Sequence, residues 1–154
     1  MTDLLLDTHV WIWLSLEKNT SLSRKAKKAI DSAGQKWLSA ISCWELAKLV
    51  EKKRIGFSIP TINWIRRSLN EHHISLADLS PEIAVESTLL RGFHKDPADQ
   101  IIVATSRILG MPLITSDKKI IKFSGVEIVW WVLKPLLYVG RSSFCPAVTS
   151  GIPH

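Results

Sequence analysis

Leu4-Leu5-Leu6-Asp7-Thr8-His9-Val10-Trp11 is the stretch whose reading decides the fold. Three consecutive leucines ending at an acid have the pattern of a short strand buried on both faces. From Thr8 to about Leu16 the apolar residues fall at helical spacing instead. Asp7 therefore sits where a buried strand hands over to a helix. In a parallel α/β sheet that is the carboxyl edge, where ligands bind.

Outward from this junction, strands and helices alternate. A strand is expected from Asp3 to Asp7, then a helix from Thr8. A second helix spans Arg24 to Ala33, capped by Ser21 or Ser23 and ended by Gly34. The second strand is Lys36 to Ala40. Ser42-Cys43-Trp44-Glu45 has capping-box spacing and opens a helix to about Lys53, with Leu46, Leu49 and Val50 as its apolar stripe. Pro60 leads into a helix from Thr61 to Glu71, with Ile62, Ile65 and Leu69 inward. A short strand, Ile74 to Leu76, precedes a helix capped by Ser80 and running to about Arg91. Asp96-Pro97-Ala98-Asp99 opens a helix to Leu109, stopped by Gly110. Pro112 to Thr115 is a buried strand, Ser116-Asp117 begins a short helix, and Glu127 to Trp130 is the last strand. The alternation implies a parallel sheet with helices on both faces.

The 154 residues suit one domain, and hydrophobic (46%) and charged (22%) fractions are those of a globular protein. We divide the chain into a globular part, 1–130, and an irregular tail, 131–154, rich in Ser, Pro and Gly and lacking periodicity. A net charge of +6 suits an anionic partner such as nucleic acid. Two distant cysteines, Cys43 and Cys145, make neither a disulfide framework nor a zinc pattern. The late apolar stretch from Ile128 to Val139 is interrupted by Lys134 and Pro135 and falls short of the ~20 residues that span a bilayer. A cytoplasmic protein with no membrane association is expected.

Four acids occupy equivalent places. Asp7 and Asp117 follow strands, and Glu45 and Asp99 lie in the first turns of helices. Strand ends and following helix starts share one edge, so the four should converge. Each has a capping role open to it as well. Capping alone does not explain why all four fall on one edge. Crowded carboxylates either rise in pKa or gather a cation, and oxygen-only donors select Mg²⁺ or Mn²⁺.

Leu4 to His9, Ser39 to Leu46, His94 to Gln100 and Leu113 to Asp117 together resemble the PIN-domain ribonucleases, and within them the VapC-type toxins of bacterial toxin–antitoxin pairs. The resemblance runs from about Asp3 to Trp130. It implies a three-layer α/β fold with about five parallel strands and helices on both faces. It also implies a Mg²⁺- or Mn²⁺-dependent endoribonuclease in which Asp7, Glu45, Asp99 and Asp117 form the acidic, metal-binding site. Asp7 and Asp99 would be direct ligands, while Glu45 and Asp117 would act through water. Thr115 would bond within the acidic cluster, Thr8 and Ser42 would support it, and Asp96 would cap the helix at Pro97. Gln100 stands where such proteins commonly carry Arg, which puts an ion pair or an RNA contact in question. A homodimer and a cognate VapB-type antitoxin are implied too.

Lys52, Lys53, Arg54, Arg66 and Arg67 are candidates to hold an RNA backbone. The basic face of the second helix, Arg24 to Lys28, reads as solvated. His9 and His94 lie near the site and read as neighbours of it rather than proton shuttles. Trp37, Trp44 and Trp64 fit core positions; Trp11 and Trp13 read as core too, with a partner surface as the alternative. Two other functions are compatible with the chain. One is a phosphotransfer domain with Asp7 as nucleophile, disfavoured because His9 stands where a second Asp would be needed. The other is a non-catalytic RNA- or protein-binding module.

Overall fold

A computed structural model describes residues 1–17 and 21–129. The elements in chain order are β1 (Leu4–Leu6), α1 (Thr8–Ser15), α2 (Arg24–Asp31), β2 (Lys36–Ser39), α3 (Ala40–Glu51), α4 (Thr61–Glu71), β3 (Ile74–Ala77), α5 (Pro81–Thr88), α6 (Pro97–Leu109), β4 (Leu113–Ile114) and α7 (Lys118–Lys122). The sheet order is β3-β2-β1-β4, and every pairing is parallel. All four carboxyl ends therefore face one way.

The leucine run explains the layering. Successive side chains of a strand point to opposite faces. Leu4 and Leu6 enter one core, with Val10, Trp11 and Ile12 of α1, Ala26 and Ile30 of α2, Leu46 of α3 and Ile65 of α4. Leu5 enters the other, with Ile102 and Val103 of α6, Leu113 of β4 and Ile120 of α7. The sheet is thus the middle of three layers, and β1 is covered on both sides. Burial of each such aliphatic side chain contributes about 1.5–3 kcal/mol.

Helix starts follow the local chemistry. Ser23, rather than Ser21, caps α2, accepting from the Ala26 amide. Ser80 caps α5 with Pro81 in its first turn. Gly110 closes α6 with φ at 63°, in the left-handed region that suits glycine.

Several expectations need correction. Four strands form in place of about five: near Glu127 to Trp130 there is only a one-residue parallel bridge, Ile128 to Leu113, among the described residues. Trp130 and the tail at 131–154 lie outside the described residues. α3 begins at Ala40 with Ser39 as its cap residue, so Ser42 and Glu45 are not a capping box. The helix starts directly off β2, and this moves Ser42 into the interior, where it is buried. Ile62 is 52% exposed, on the outer side of α4 from Ile65. Trp44 is 53% exposed, whereas Trp11 and Trp13 are buried. No helix among the described residues is long and apolar enough to cross a membrane.

Candidate active site

At the end of β1 the chain turns into α1 through Asp7. Its Oδ1 accepts from the Thr8 amide at 2.8 Å, so the acid caps the helix. Its Oδ2 accepts from the Thr115 hydroxyl at 2.6 Å. Asp7 is 3% exposed, and both neighbours are fully buried. Thr115 in turn accepts from the Asp117 amide at 3.0 Å. One hydroxyl thereby ties the acid after β1 to the acid after β4. Asp117 caps α7, accepting from the Lys119 amide at 2.6 Å and the Ile120 amide at 3.4 Å.

Glu45 reaches the cluster from α3. The Thr8 hydroxyl is hydrogen-bonded to both Glu45 Oε2 and Ser42 Oγ, the latter at 2.8 Å. A hydroxyl has one proton, and a carboxylate is the stronger acceptor. Thr8 therefore donates to Glu45 and receives from Ser42. Both supporting residues named from the sequence are in place, though Ser42 works from inside the helix instead of capping it.

Asp99 lies in the first turn of α6. The cap of that helix is Asp96, whose Oδ1 accepts from the Ala98 and Asp99 amides at 3.0 and 3.4 Å. Pro97 follows at the first helical position, where a missing amide proton costs nothing. Asp99 is thereby freed from capping and its carboxyl turns inward.

The electrostatics show that the acids crowd one another. Asp99 is pushed up from 3.8 to about 8, first by burial and then by the charges of Asp7, Asp96, Asp117 and Glu45. Glu45 is raised from 4.5 to about 7 by burial, opposed by the Thr8 hydrogen bond and reinforced by Asp7 and Asp96. Like charges held together in a partly dry place disfavour ionisation. The structure therefore brings together all four acids read from the sequence, with Asp96 beside them.

No group of three or more His, Cys, Asp or Glu side chains among the described residues forms a ready-made metal cage. Zn²⁺ and Ca²⁺ are usually held by a nearly complete set of protein ligands, whereas Mg²⁺ keeps several waters and takes one or two carboxylates plus substrate phosphate. An all-oxygen, strongly anionic pocket fits such a hydrated ion.

One contact escaped the sequence reading. His94 Nε2 lies 3.1 Å from Asp99 Oδ2. His94 precedes the Asp96 cap by two residues, and the tight Asp-Pro helix entry folds that position back over the first turn. The spacing His-x-Asp-Pro-x-Asp is the signal that could have revealed it. The RNA-contact candidates fall elsewhere: Lys52, Lys53 and Arg54 trail the last turn of α3, and Arg67 pairs with Glu71 at 2.7 Å.

The chain matches the PIN domain family over residues 4–126. It is 37% identical over 121 residues to ribonuclease VapC22 of Mycobacterium tuberculosis, covering 78% of this chain and 91% of that protein. A toxin–antitoxin complex from Klebsiella pneumoniae contains a similar chain, with a TM-score of 0.57 and 26% identity over 84% of this chain and 99% of that one. A chain of VapBC2 from Rickettsia felis, bound to a promoter DNA fragment, shares the fold at a TM-score of 0.62 and 14% identity, covering 82% of this chain and 97% of that one.

Proposed function

The chain belongs to the PIN-domain family, and from that premise we propose that it is a Mg²⁺- or Mn²⁺-dependent endoribonuclease acting as the toxin of a toxin–antitoxin pair. The observation that carries this reading is the elevation of Asp99 to about 8 by burial among four surrounding carboxylates. Such repulsion is what a divalent cation would relieve, and it has no use in a purely structural cap.

Asp7 and Asp99 would hold the ion directly, with Glu45 and Asp117 acting through water. When bound, such an ion lowers the pKa of an attacking water and neutralises charge on a phosphodiester. The chain's own part is positional and protonic. Thr8 and Thr115 fix the carboxylate plane of Asp7 from both sides. Glu45, raised to about 7 by burial and its acidic neighbours when no cation is bound, would be lowered by a cation toward the ionised form that can take a proton. With Oε2 engaged by Thr8, Oε1 is the atom that takes it. The buried Thr8–Ser42 pair keeps that carboxyl in place against the pull of solvent.

His9 stands where a phosphotransfer site would need a second acid, which weighs against Asp7 as a phosphotransfer nucleophile. The net charge of +6 favours approach of RNA, while the acidic pocket itself would repel phosphate until a cation sits there. A basic side chain of an antitoxin could neutralise the same pocket, and the relatives found in toxin–antitoxin complexes support such a partner.

The test is cleavage of an RNA pool by the purified chain with Mg²⁺ or Mn²⁺, set against EDTA and Asp7→Asn. Metal-dependent cuts absent from both controls are expected, with 5′-phosphate and 3′-hydroxyl ends. Cleavage that persists in EDTA, or a folded chain that neither cuts RNA nor binds Mn²⁺, would overturn the proposal.

A further inference from the structure

We infer that His94 is a positioning residue that aims the Asp99 carboxylate at the cation, and that Gln100 holds His94 in place. The inference rests on the metal-dependent reading above.

The imidazole is held at Nδ1 and faces Asp99 with Nε2. Nδ1 lies 3.4 Å from the Asp96 amide, which donates to it. With the Nδ1 lone pair engaged, the ring proton resides on Nε2, the nitrogen 3.1 Å from Asp99 Oδ2. These two atoms are at hydrogen-bond distance, although the N–H is not aimed squarely at the oxygen. A small rotation of the ring aligns it, and contacts of this kind commonly tighten when a site is occupied. The two side chains are only 20% and 13% exposed.

The loop carrying His94 is itself clamped. The Gln100 side-chain amide donates to the His94 carbonyl at 3.0 Å. The imidazole packs on Phe93 at 4.3 Å between centroids, and Phe93 packs on Phe123 at 5.0 Å. Gln100 is thus more than a missing arginine: it ties the first turn of α6 to the loop that precedes it.

The physical need is clear from the neighbours of Asp99. Asp7, Asp96, Asp117 and Glu45 all repel it. A carboxylate surrounded by like charge swings away unless a donor holds it. An N–H directed at Oδ2 would set the carboxylate plane with which Asp99 could hold a cation. Hydrogen-bonding partners of ligating carboxylates fix their orientation and are worth about 10–100-fold in metal affinity.

The test is Mn²⁺ binding by the full chain, followed by electron paramagnetic resonance, with cleavage measured across metal concentration. In His94→Gln the amide nitrogen stands near the Nε2 position and can reach Asp99. In His94→Asn the amide stands near Nδ1 and cannot. We expect His94→Asn to weaken Mn²⁺ binding about tenfold or more, with cleavage restored at saturating metal, and His94→Gln to remain within about threefold of the unaltered chain. Gln100→Met, which removes the amide that donates to the His94 carbonyl, should weaken binding about threefold. Unaltered Mn²⁺ affinity in His94→Asn overturns the inference. So does equal weakening by Asn and Gln, since a loop-packing role would not distinguish them. Unchanged binding in Gln100→Met overturns the part assigned to Gln100. If the unaltered chain binds no Mn²⁺, the metal-dependent reading falls and this inference with it. Normal binding by that chain and by both His94 variants removes only the inference.

Discussion

Thr115 Oγ1 stands 2.6 Å from Asp7 Oδ2, although 108 residues of chain separate them. The contact exists because β4 pairs with β1, with Leu6 beside Ile114, which puts the residue after each strand at the same level. Thr115→Val keeps the shape and removes the hydroxyl. Asp7 then loses the donor on Oδ2, and the Asp117 amide loses this acceptor. We expect a loss of stability of about 1–3 kcal/mol and a fall in RNA cleavage of about 10–100-fold. Urea denaturation and cleavage rates at fixed metal check the two effects separately.

Asp99→Asn separates stability from activity. The substitution removes the carboxyl that four neighbours repel, while its amide oxygen can still accept from His94. In EDTA at pH 8.5 the variant should melt higher than the unaltered chain by about 3–8 °C, and it should not cut RNA at any metal concentration. A lower melting temperature would mean that the neighbouring acids do not destabilise the Asp99 carboxylate.

The same repulsion sets a pH dependence. Glu45 and Asp99 titrate at about 7 and about 8 in the folded protein, against ordinary values of 4.5 and 3.8. The folded state therefore holds protons that the unfolded chain has released. The stability from these two groups is complete below the ordinary carboxyl range and is lost as pH rises through 7 and 8. In EDTA, melting temperature should fall by about 5–10 °C between pH 5 and pH 9. Mg²⁺ should shrink that fall, because bound cation replaces the lost protons. A melting curve flat in pH without metal would be the contrary result.

Trp11 tests the core away from the acids. It is fully buried, and its indole N–H donates to Ser68 Oγ at 2.8 Å, which lies 2.6 Å from Ser15 Oγ. Trp11→Phe opens a cavity and removes a donor from a buried hydroxyl pair. The expected cost is about 2–4 kcal/mol by denaturation, with cleavage per folded molecule unchanged.

Legibility in the sequence followed the range of the forces involved. The leucine run before Asp7 announced a twice-covered strand, because burial on two faces leaves no polar position. The Asp96-Pro97 helix start was equally plain, since a cap and a first-turn proline act within three residues. Convergence of Asp7, Glu45 and Asp117 followed from topology, since in a parallel sheet every strand end lies on one edge; α6 follows α5 and not a strand, so Asp99 joins them through the packing of α6. What misled was local pattern overridden by tertiary context. Ser42 and Glu45 have capping-box spacing, yet α3 had already begun at Ala40, and both side chains turn to Thr8. Ile62 and Trp44 are apolar but face outward. The His94–Asp99 contact was hidden because it is set by the angle at which the loop enters α6, and no periodicity records an angle.

The placement of β4 has a consequence for how the chain is made. Translation delivers Asp7 first and Asp117 last of the four acids, yet β4 must slide in beside β1 before Thr115 can reach Asp7. A nascent chain halted just before β4 holds three of the acids and lacks both the hydroxyl that bonds Asp7 and the fourth carboxyl. Under the proposed activity, a chain that lacks β4 and the turn after it has no complete site. Among the described strands, the one that completes the site is the last to be made.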